Sequence, residues 1–382
     1  MNAKRAKQTL RTPRALLSRL SSRQIGTGDP LRMPKKFITL LFLGCLLAHA
    51  QSIRVQKPSL LWLSTHVAQA QAPASAVPNS WSTGTPMPTS RQEPFTGVIG
   101  QNVYVIGGAD STGTILNVNE VYNTATNSWT TAAPMPTARL GGTAAAVNNV
   151  LYVMGGGTQG GGNTVNTVEV YDPATDTWST KTPMPIAENS TSSVVENNII
   201  YVVGGFNNSE RLNTVLAYNP VTDSWSKLAP LKVSKSNSAV GLLGSAIISA
   251  GGLLQGSATT DNEGYDAATN SWTTLAQSPN PRFAGCSEAA GGVLYVAGGR
   301  PSGSGAPIAT MDAYNAASNS WTSGLPQMPN AVVGPGSAGV GGSLYCFGGR
   351  AADHGHGRER HKCDLQRHRQ PGSTGAGRAT IV

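Results

Sequence analysis

The sequence predicts an all-β propeller of six blades, and three observations carry that reading. Gly-Gly pairs begin at 107, 155, 204, 251, 298 and 348, a near-constant period. Tryptophans stand at 81, 129, 178, 225, 272 and 321, in step with the pairs. Short apolar runs broken by turn residues fill each period, and a period of this length marks stacked repeats that share one core.

Each unit reads as four strands. In the second, Gly141 to Val147 and Val150 to Met154 are split by Asn148-Asn149, a tight-hairpin signal. Thr167 to Tyr171 alternates, and Asp172-Pro173-Ala174-Thr175-Asp176 turns the chain into a strand around Trp178. The glycine pair closes the second strand, where the backbone bends or meets a neighbour closely. Tyr104, Tyr152, Tyr201, Tyr295 and Tyr345 lie three residues before a pair, with Ile248 in the fourth unit. Tyr122, Tyr171, Tyr218, Tyr265 and Tyr314 lie seven residues before a tryptophan. All ten tyrosines therefore hold repeat positions, as fillers between adjacent sheets. One four-stranded sheet cannot bury both faces, so blades pack around an axis.

The period of about 50 residues, the Gly-Gly pair, the spaced Tyr and Trp and the Tyr-Asp-Pro turn resemble the kelch repeat, over residues 79 to about 350. The resemblance implies that one chain end completes the last blade. Trp81 has no repeat before it, and the sixth Gly-Gly pair has no Trp after it. The strand around Trp81 is thus expected to be the fourth strand of an incomplete last blade.

Four segments follow: a basic leader and signal peptide at 1–50, a linker at 51–78, the propeller at 79–350 and a C-terminal tail at 351–382. Met33-Pro34-Lys35-Lys36, the apolar run Phe37 to Ala48 and Ala48-His49-Ala50 have the order of a secretory signal peptide. The run is shorter than the roughly 20 residues that span a bilayer, so no membrane span is expected. Residues 1–32 are basic and patternless and read as sequence ahead of the true start, or as an extended n-region. Lipidation at Cys45 is a rival reading, weakened by Phe42. The segment QAPASAVP at 71–78 reads as a flexible linker. An exported, periplasmic or extracellular protein is expected.

The tail holds four of the six histidines and no aromatic residue. It reads as an aberrant or disordered C-terminus, and its histidines carry no metal reading without a core-forming pattern. Cys286 and Cys346 sit in apolar stretches and read as buried free thiols. No Cys-x-x-Cys occurs, so a structural zinc site has no support.

Charge narrows the function. The formal net charge is +9, yet residues 79–350 hold 10 Lys/Arg against 15 Asp/Glu. The body is mildly acidic and lacks the basic footprint that phosphate backbones need, which excludes nucleic acid. No histidine occurs between 79 and 350, which removes His-based triads and metal–His sites. No catalytic residue, metal or cofactor is assigned. The copper oxidases that resemble kelch propellers need His and a Tyr–Cys crosslink, and that activity is rejected.

Chain direction places the loops after the glycine pairs and the entries to first strands on one face. Ala109 to Leu116, Gly157 to Thr164, Phe206 to Leu212 and Arg300 to Pro307 are long and varied there, as binding loops on a rigid scaffold are. Sixteen residues before each glycine pair stand Arg91, Arg139, Glu188, Lys235, Arg282 and Val332. Four cations and one acid would circle the channel mouth and attract anions, or each arginine would pair locally and hold a blade together. In kelch propellers resembling this one, arginines near this position contact acidic ligand groups. Glu210, Arg211 and Arg300 join the candidate binding set.

The expected function is an exported module, monomeric, that binds a protein, peptide or glycan. The alternative is a carbohydrate enzyme resembling the bacterial sialic-acid epimerase (mutarotase) family, with Glu210, Arg211 and Glu188 as its polar groups.

Overall fold

The computed structural model describes residues 80–159, 162–351 and 366–369. Among them every regular element is a strand, and no helix is long and apolar enough to cross a membrane. The basic leader, the signal peptide, the linker and most of the C-terminal tail lie outside the described residues.

Five blades are built from consecutive stretches of chain, each a four-stranded antiparallel sheet. From the axis outward, blade 1 is Phe95–Ile99, Asn102–Ile106, Asn119–Asn123 and Ser128–Ala132. Blade 2 is Thr143–Val147, Val150–Met154, Val168–Asp172 and Thr177–Lys181. Blade 3 is Ser192–Glu196, Ile199–Phe206, Arg211–Asn219 and Ser224–Lys227. Blade 4 is Ala239–Leu243, Ala246–Ala250, Asn262–Asp266 and Ser271–Thr274. Blade 5 is Cys286–Ala290, Val293–Ala297, Met311–Asn315 and Ser320–Leu325.

The expectation of six blades, the last one incomplete, is corrected to five. The remaining sheet is composite, with Gly336–Val340 and Ser343–Phe347 followed by Gln366–Arg369 and then Ser80–Thr83. Trp81 stands opposite His368 in that sheet. The N-terminal strand is therefore outermost, as expected. A strand within the tail was not expected, because QRHR carries no apolar alternation and any backbone can supply ladder hydrogen bonds. Innermost strands contact one another in chain order, and Gly336–Val340 lies against both Cys286–Ala290 and Phe95–Ile99. The circuit is closed.

Hydrophobic clusters sit between sheets. Tyr152, Val168 and Val170 of blade 2 pack on Ile200, Val202 and Tyr218 of blade 3. Leu344 and Cys346 of the composite sheet pack on Cys286 and Ala297 of blade 5, with Trp81 against them. The seven-residue Tyr–Trp spacing places the two rings opposite each other across a hairpin, with centroids 4.8 Å apart at Tyr218–Trp225 and 5.3 Å apart at Tyr314–Trp321.

One polar clamp recurs at the sheet junctions. The Trp178 indole N–H donates to the Ala133 carbonyl of the preceding blade at 2.8 Å, and Trp81 reaches Pro326 in the same way at 2.8 Å. Beside Trp178, Asp176 accepts from the Tyr171 hydroxyl at 2.6 Å and from the Ala133 N–H at 2.8 Å. Asp176 has a φ of 53°, a left-handed conformation that Asn and Asp tolerate, which suits this acceptor position to them.

Cys286 and Cys346 form a disulfide between blade 5 and the composite sheet, with Cα atoms 6.0 Å apart. This corrects the reading of two free thiols. Sixty residues separate the pair in sequence, and only ring closure brings them together.

Candidate functional site at the channel mouth

The glycine pairs shape the face where a ligand would approach. In each unit the residue sixteen positions before a pair gives its carbonyl to the preceding sheet. The second glycine of that sheet donates to it: Gly108 to Arg139 at 2.9 Å, Gly252 to Arg282 at 2.9 Å and Gly349 to Arg91 at 3.0 Å. A Cβ on Gly155 would lie 2.5 Å from the Glu188 carbonyl, and its φ is 64°. Glycine is required there by both conformation and space.

The side chains at this position do not circle an open mouth. Arg91, Arg139, Lys235 and Arg282 are all buried, and each pairs with a carboxylate on the third strand of its own blade. Arg91 meets Glu120 and Arg282 meets Asp312, while Arg139 lies 2.8 Å from Glu169 and Lys235 lies 3.4 Å from Glu263. The guanidinium of Arg91 also donates to the carbonyls of Gly107 and Val118, each at 3.2 Å. Burial pushes the Lys235 ammonium below its usual pKa, and Glu263 opposes that shift. Local pairing, the alternative to an anion-attracting ring, is what the structure shows: these buried cations stitch first-strand entries to third strands. Val332 is buried too.

Glu188 is the exception. It is 1% exposed, and its Oε2 accepts a hydrogen bond from the Thr214 hydroxyl at 3.4 Å. Its Oε1 has no hydrogen-bond partner among the described residues. Desolvation pushes its carboxyl up to about 8.

Two residues further on lies a feature that sequence reasoning missed. Glu93, Gly141, Ser190, Asn237, Ala284 and Gly334 all have φ between 52° and 66°. Their backbones form a closed circle. Glu93 N–H donates to Gly334 at 2.7 Å, Gly334 to Ala284 at 2.8 Å and Ala284 to Asn237 at 3.0 Å. Asn237 then donates to Ser190 at 2.7 Å, Ser190 to Gly141, and Gly141 back to Glu93 at 2.9 Å. Gly, Ser and Asn in the same repeat column are a signal for a left-handed residue, though not for a collar.

Behind the collar lies a central cavity of about 420 Å³, walled by the innermost strands of the five blades and the composite sheet. Its lining is rich in hydroxyls: Thr96, Thr143, Ser193, Ser238, Ser287 and Ser337. Thr143 and Ser193 share a hydrogen bond of 2.6 Å across two blades, and Thr96 donates to the Ser337 carbonyl at 2.7 Å. The ionisable lining residues are Glu93 and Glu288. Glu93 is exposed to the channel yet walled by protein, and this desolvation raises its pKa while Arg350 opposes the rise. A Cβ on Gly141 would lie 3.1 Å from a Glu93 carboxyl oxygen, and one on Gly334 would lie 3.1 Å from its Cγ. Glu288 is pushed up to about 7 by burial.

The loops around the mouth are tied down. Ala258 N–H donates to Pro301 at 3.2 Å and Gly303 N–H to Gly256 at 3.0 Å, which joins the loops of blades 4 and 5. The Thr164 N–H donates to Asn208 Oδ1 at 3.1 Å, which joins those of blades 2 and 3. Backbone bridges such as Leu140 to Gly157 and Phe283 to Arg300 put first-strand entries and post-glycine loops on one face, as chain direction predicts.

The loop residues Glu210, Arg211 and Arg300 are not assembled into one constellation. The Arg211 guanidinium lies over the Phe206 ring at 4.7 Å, and no ion pair joins it to Glu210 or Glu188. Glu210 closes its own turn, its N–H donating to Asn207 Oδ1 at 3.0 Å. Arg300 donates to the Gly303 carbonyl at 3.4 Å. Among the described residues no group of three or more His, Cys, Asp or Glu side chains comes together in a way that could hold a metal ion.

Repeated four-stranded blades around a closed circuit, with paired glycines after the second strands and a Tyr–Trp hairpin, define the class: the chain folds as a β-propeller, and part of it matches a kelch-repeat model. The KLHDC2/KLHL20/DRC7 Kelch-repeats domain matches residues 75–240. Among solved structures, that of YjhT is similar, with a TM-score of 0.61 at 20% identity over 74% of this chain and 95% of that one. At that identity the likeness shows the fold. No curated protein matches in sequence.

Proposed function

We propose that this chain is an exported, monomeric binding module that presents its loop face and central cavity to a peptide, protein or glycan, with the composite sheet serving as a sixth blade. The observation that carries the reading is the polar cavity of about 420 Å³ behind a rigid collar, a size that suits one small group or the tip of a larger ligand. The tied loops add a preorganised rim, which lowers the ordering cost of binding. Export is supported by the signal-like segment Met33 to Ala50 and by the disulfide, a bond that persists in oxidising compartments. A glycan and peptide array tests the reading with wild type beside Arg211→Ala and Arg300→Ala, loop residues outside the buried ion pairs. Hits lost in a loop variant support it, and a blank array retires it.

A carbohydrate mutarotase is the second reading. Glu288, held near neutrality in a polar cavity, is suited to act as a general acid or base. Against it, no lining cation faces a sugar-acid carboxylate. Following N-acetylneuraminate anomer exchange by NMR decides the matter, and a rate equal to buffer retires the enzyme.

A further inference from the structure

We infer that the central cavity is a site for a small aliphatic amine, its ammonium group held by Glu288 within the channel after Glu93 attracts it at the mouth; this rests on the binding reading above.

The sign of the lining chooses the ligand. Arg91, Arg139, Lys235 and Arg282 are turned away into the blades, where Glu120, Glu169, Glu263 and Asp312 take them up, and Arg350 stands near Glu93 at the mouth. The channel keeps two carboxyls and a wall of hydroxyls. Within the channel an anionic ligand would find no lining counter-charge, and an apolar one would strip hydroxyls of water. An ammonium ion offers three donors to acceptors that are already in place.

Glu288 is built for this more than for structure. It lies on the innermost strand of blade 5 and packs toward the composite sheet, where a Cβ on Gly339 would meet its carboxyl group at 1.9 Å. The facing strand thus leaves the space its carboxyl occupies. The same repeat column holds Gly97, Ala145, Val194, Gly241 and Ala338, which makes Glu288 its only polar member. Among the described residues it has neither a hydrogen bond nor an ion pair. Almost enclosed by protein and open to the cavity, it is a carboxyl with room beside it and no partner. Glu93 is the one long side chain on the collar, among Gly, Ser, Asn and Ala. Gly334 and Gly339 are five residues apart on the wall between the two carboxyls, about 16 Å of extended strand, so a slender amine would pass one carboxyl before reaching the other.

Isothermal titration of the full chain with 1,5-diaminopentane tests the inference, with 1,5-pentanediol as the uncharged control. Binding is expected at pH 8.5, at least tenfold weaker at pH 5.5 where Glu288 is protonated, and none is expected for the diol. Glu288→Gln should weaken diamine binding at least tenfold with an unchanged circular-dichroism spectrum. Glu93→Gln, at an exposed side chain, should weaken it several-fold and serves if the first variant misfolds. Equal diamine affinity in wild type and both variants, or none in wild type, overturns the inference. If the diamine fails while an array ligand binds, the amine site falls and the binding module stands. A blank array with Glu288-dependent diamine binding supports the amine site and removes the peptide and glycan reading.

Discussion

Leu216 occupies the position on blade 3 where the other four blades carry a carboxylate, and Glu188 occupies the position where they carry its cation. Counted back from the blade tyrosine, Leu216 aligns with Glu120, Glu169, Glu263 and Asp312, and both Leu216 and Glu188 are about 1% exposed. The exchange leaves one acid in the interior with no counter-ion.

That acid sets a pH dependence. Glu188 is lifted from its ordinary value near 4.5 to about 8, so between these values the fold keeps a proton that the unfolded chain releases. Stability is fully present below about 4.5, falls as pH rises and levels off above about 8. Each pKa unit corresponds to about 1.4 kcal/mol, which puts the effect on the order of a few kcal/mol. Glu188→Gln should flatten part of this decline and raise the melting temperature at pH 8.5. Identical pH profiles for variant and wild type would contradict the assignment.

Arg139→Ala should cost about 3–5 kcal/mol, because it strands Glu169 in the interior. Urea unfolding measures it. A variant as stable as wild type but deficient in ligand binding would return Arg139 to the mouth of the channel.

Trp178→Ala removes a ring packed on Tyr171 and a hydrogen bond to the preceding blade. Since the tryptophan is partly exposed, about 3 kcal/mol is expected, at the lower end for aromatic truncations. An unaltered melting curve would deny it a place between blades.

The disulfide closes a loop of about 60 residues, so Cys346→Ala should cost about 4 kcal/mol in the chain-entropy view. Alkylation of the denatured, unreduced chain should leave Cys286 and Cys346 unlabelled in mass spectra. Labelling of both would show them as thiols.

The scaffold was legible because its determinants are local and repeated. Gly155-Gly156, Tyr171 and Trp178 sit at fixed offsets that need no knowledge of neighbours. The site was less legible. Arg139 and Glu169 are 30 residues apart, and a cation column in a repeat looks the same whether it faces solvent or is matched by an acid column further on. The acid column was present at two residues before four of the five blade tyrosines, and pairing the columns would have favoured local pairing over the anion-attracting ring. Cys286 and Cys346 lie in different sheets, and their meeting depends on closure of the circle. The collar depends on six units converging, which no single stretch of chain encodes.

Because the collar is made of peptide groups alone, the aperture it frames cannot be widened by swapping one amino acid for another. Its circumference is counted in repeats, as links are in a bracelet. Evolution can therefore retune what this opening selects through the lone projecting carboxyl of Glu93, while a different bore would require gaining or losing a whole module.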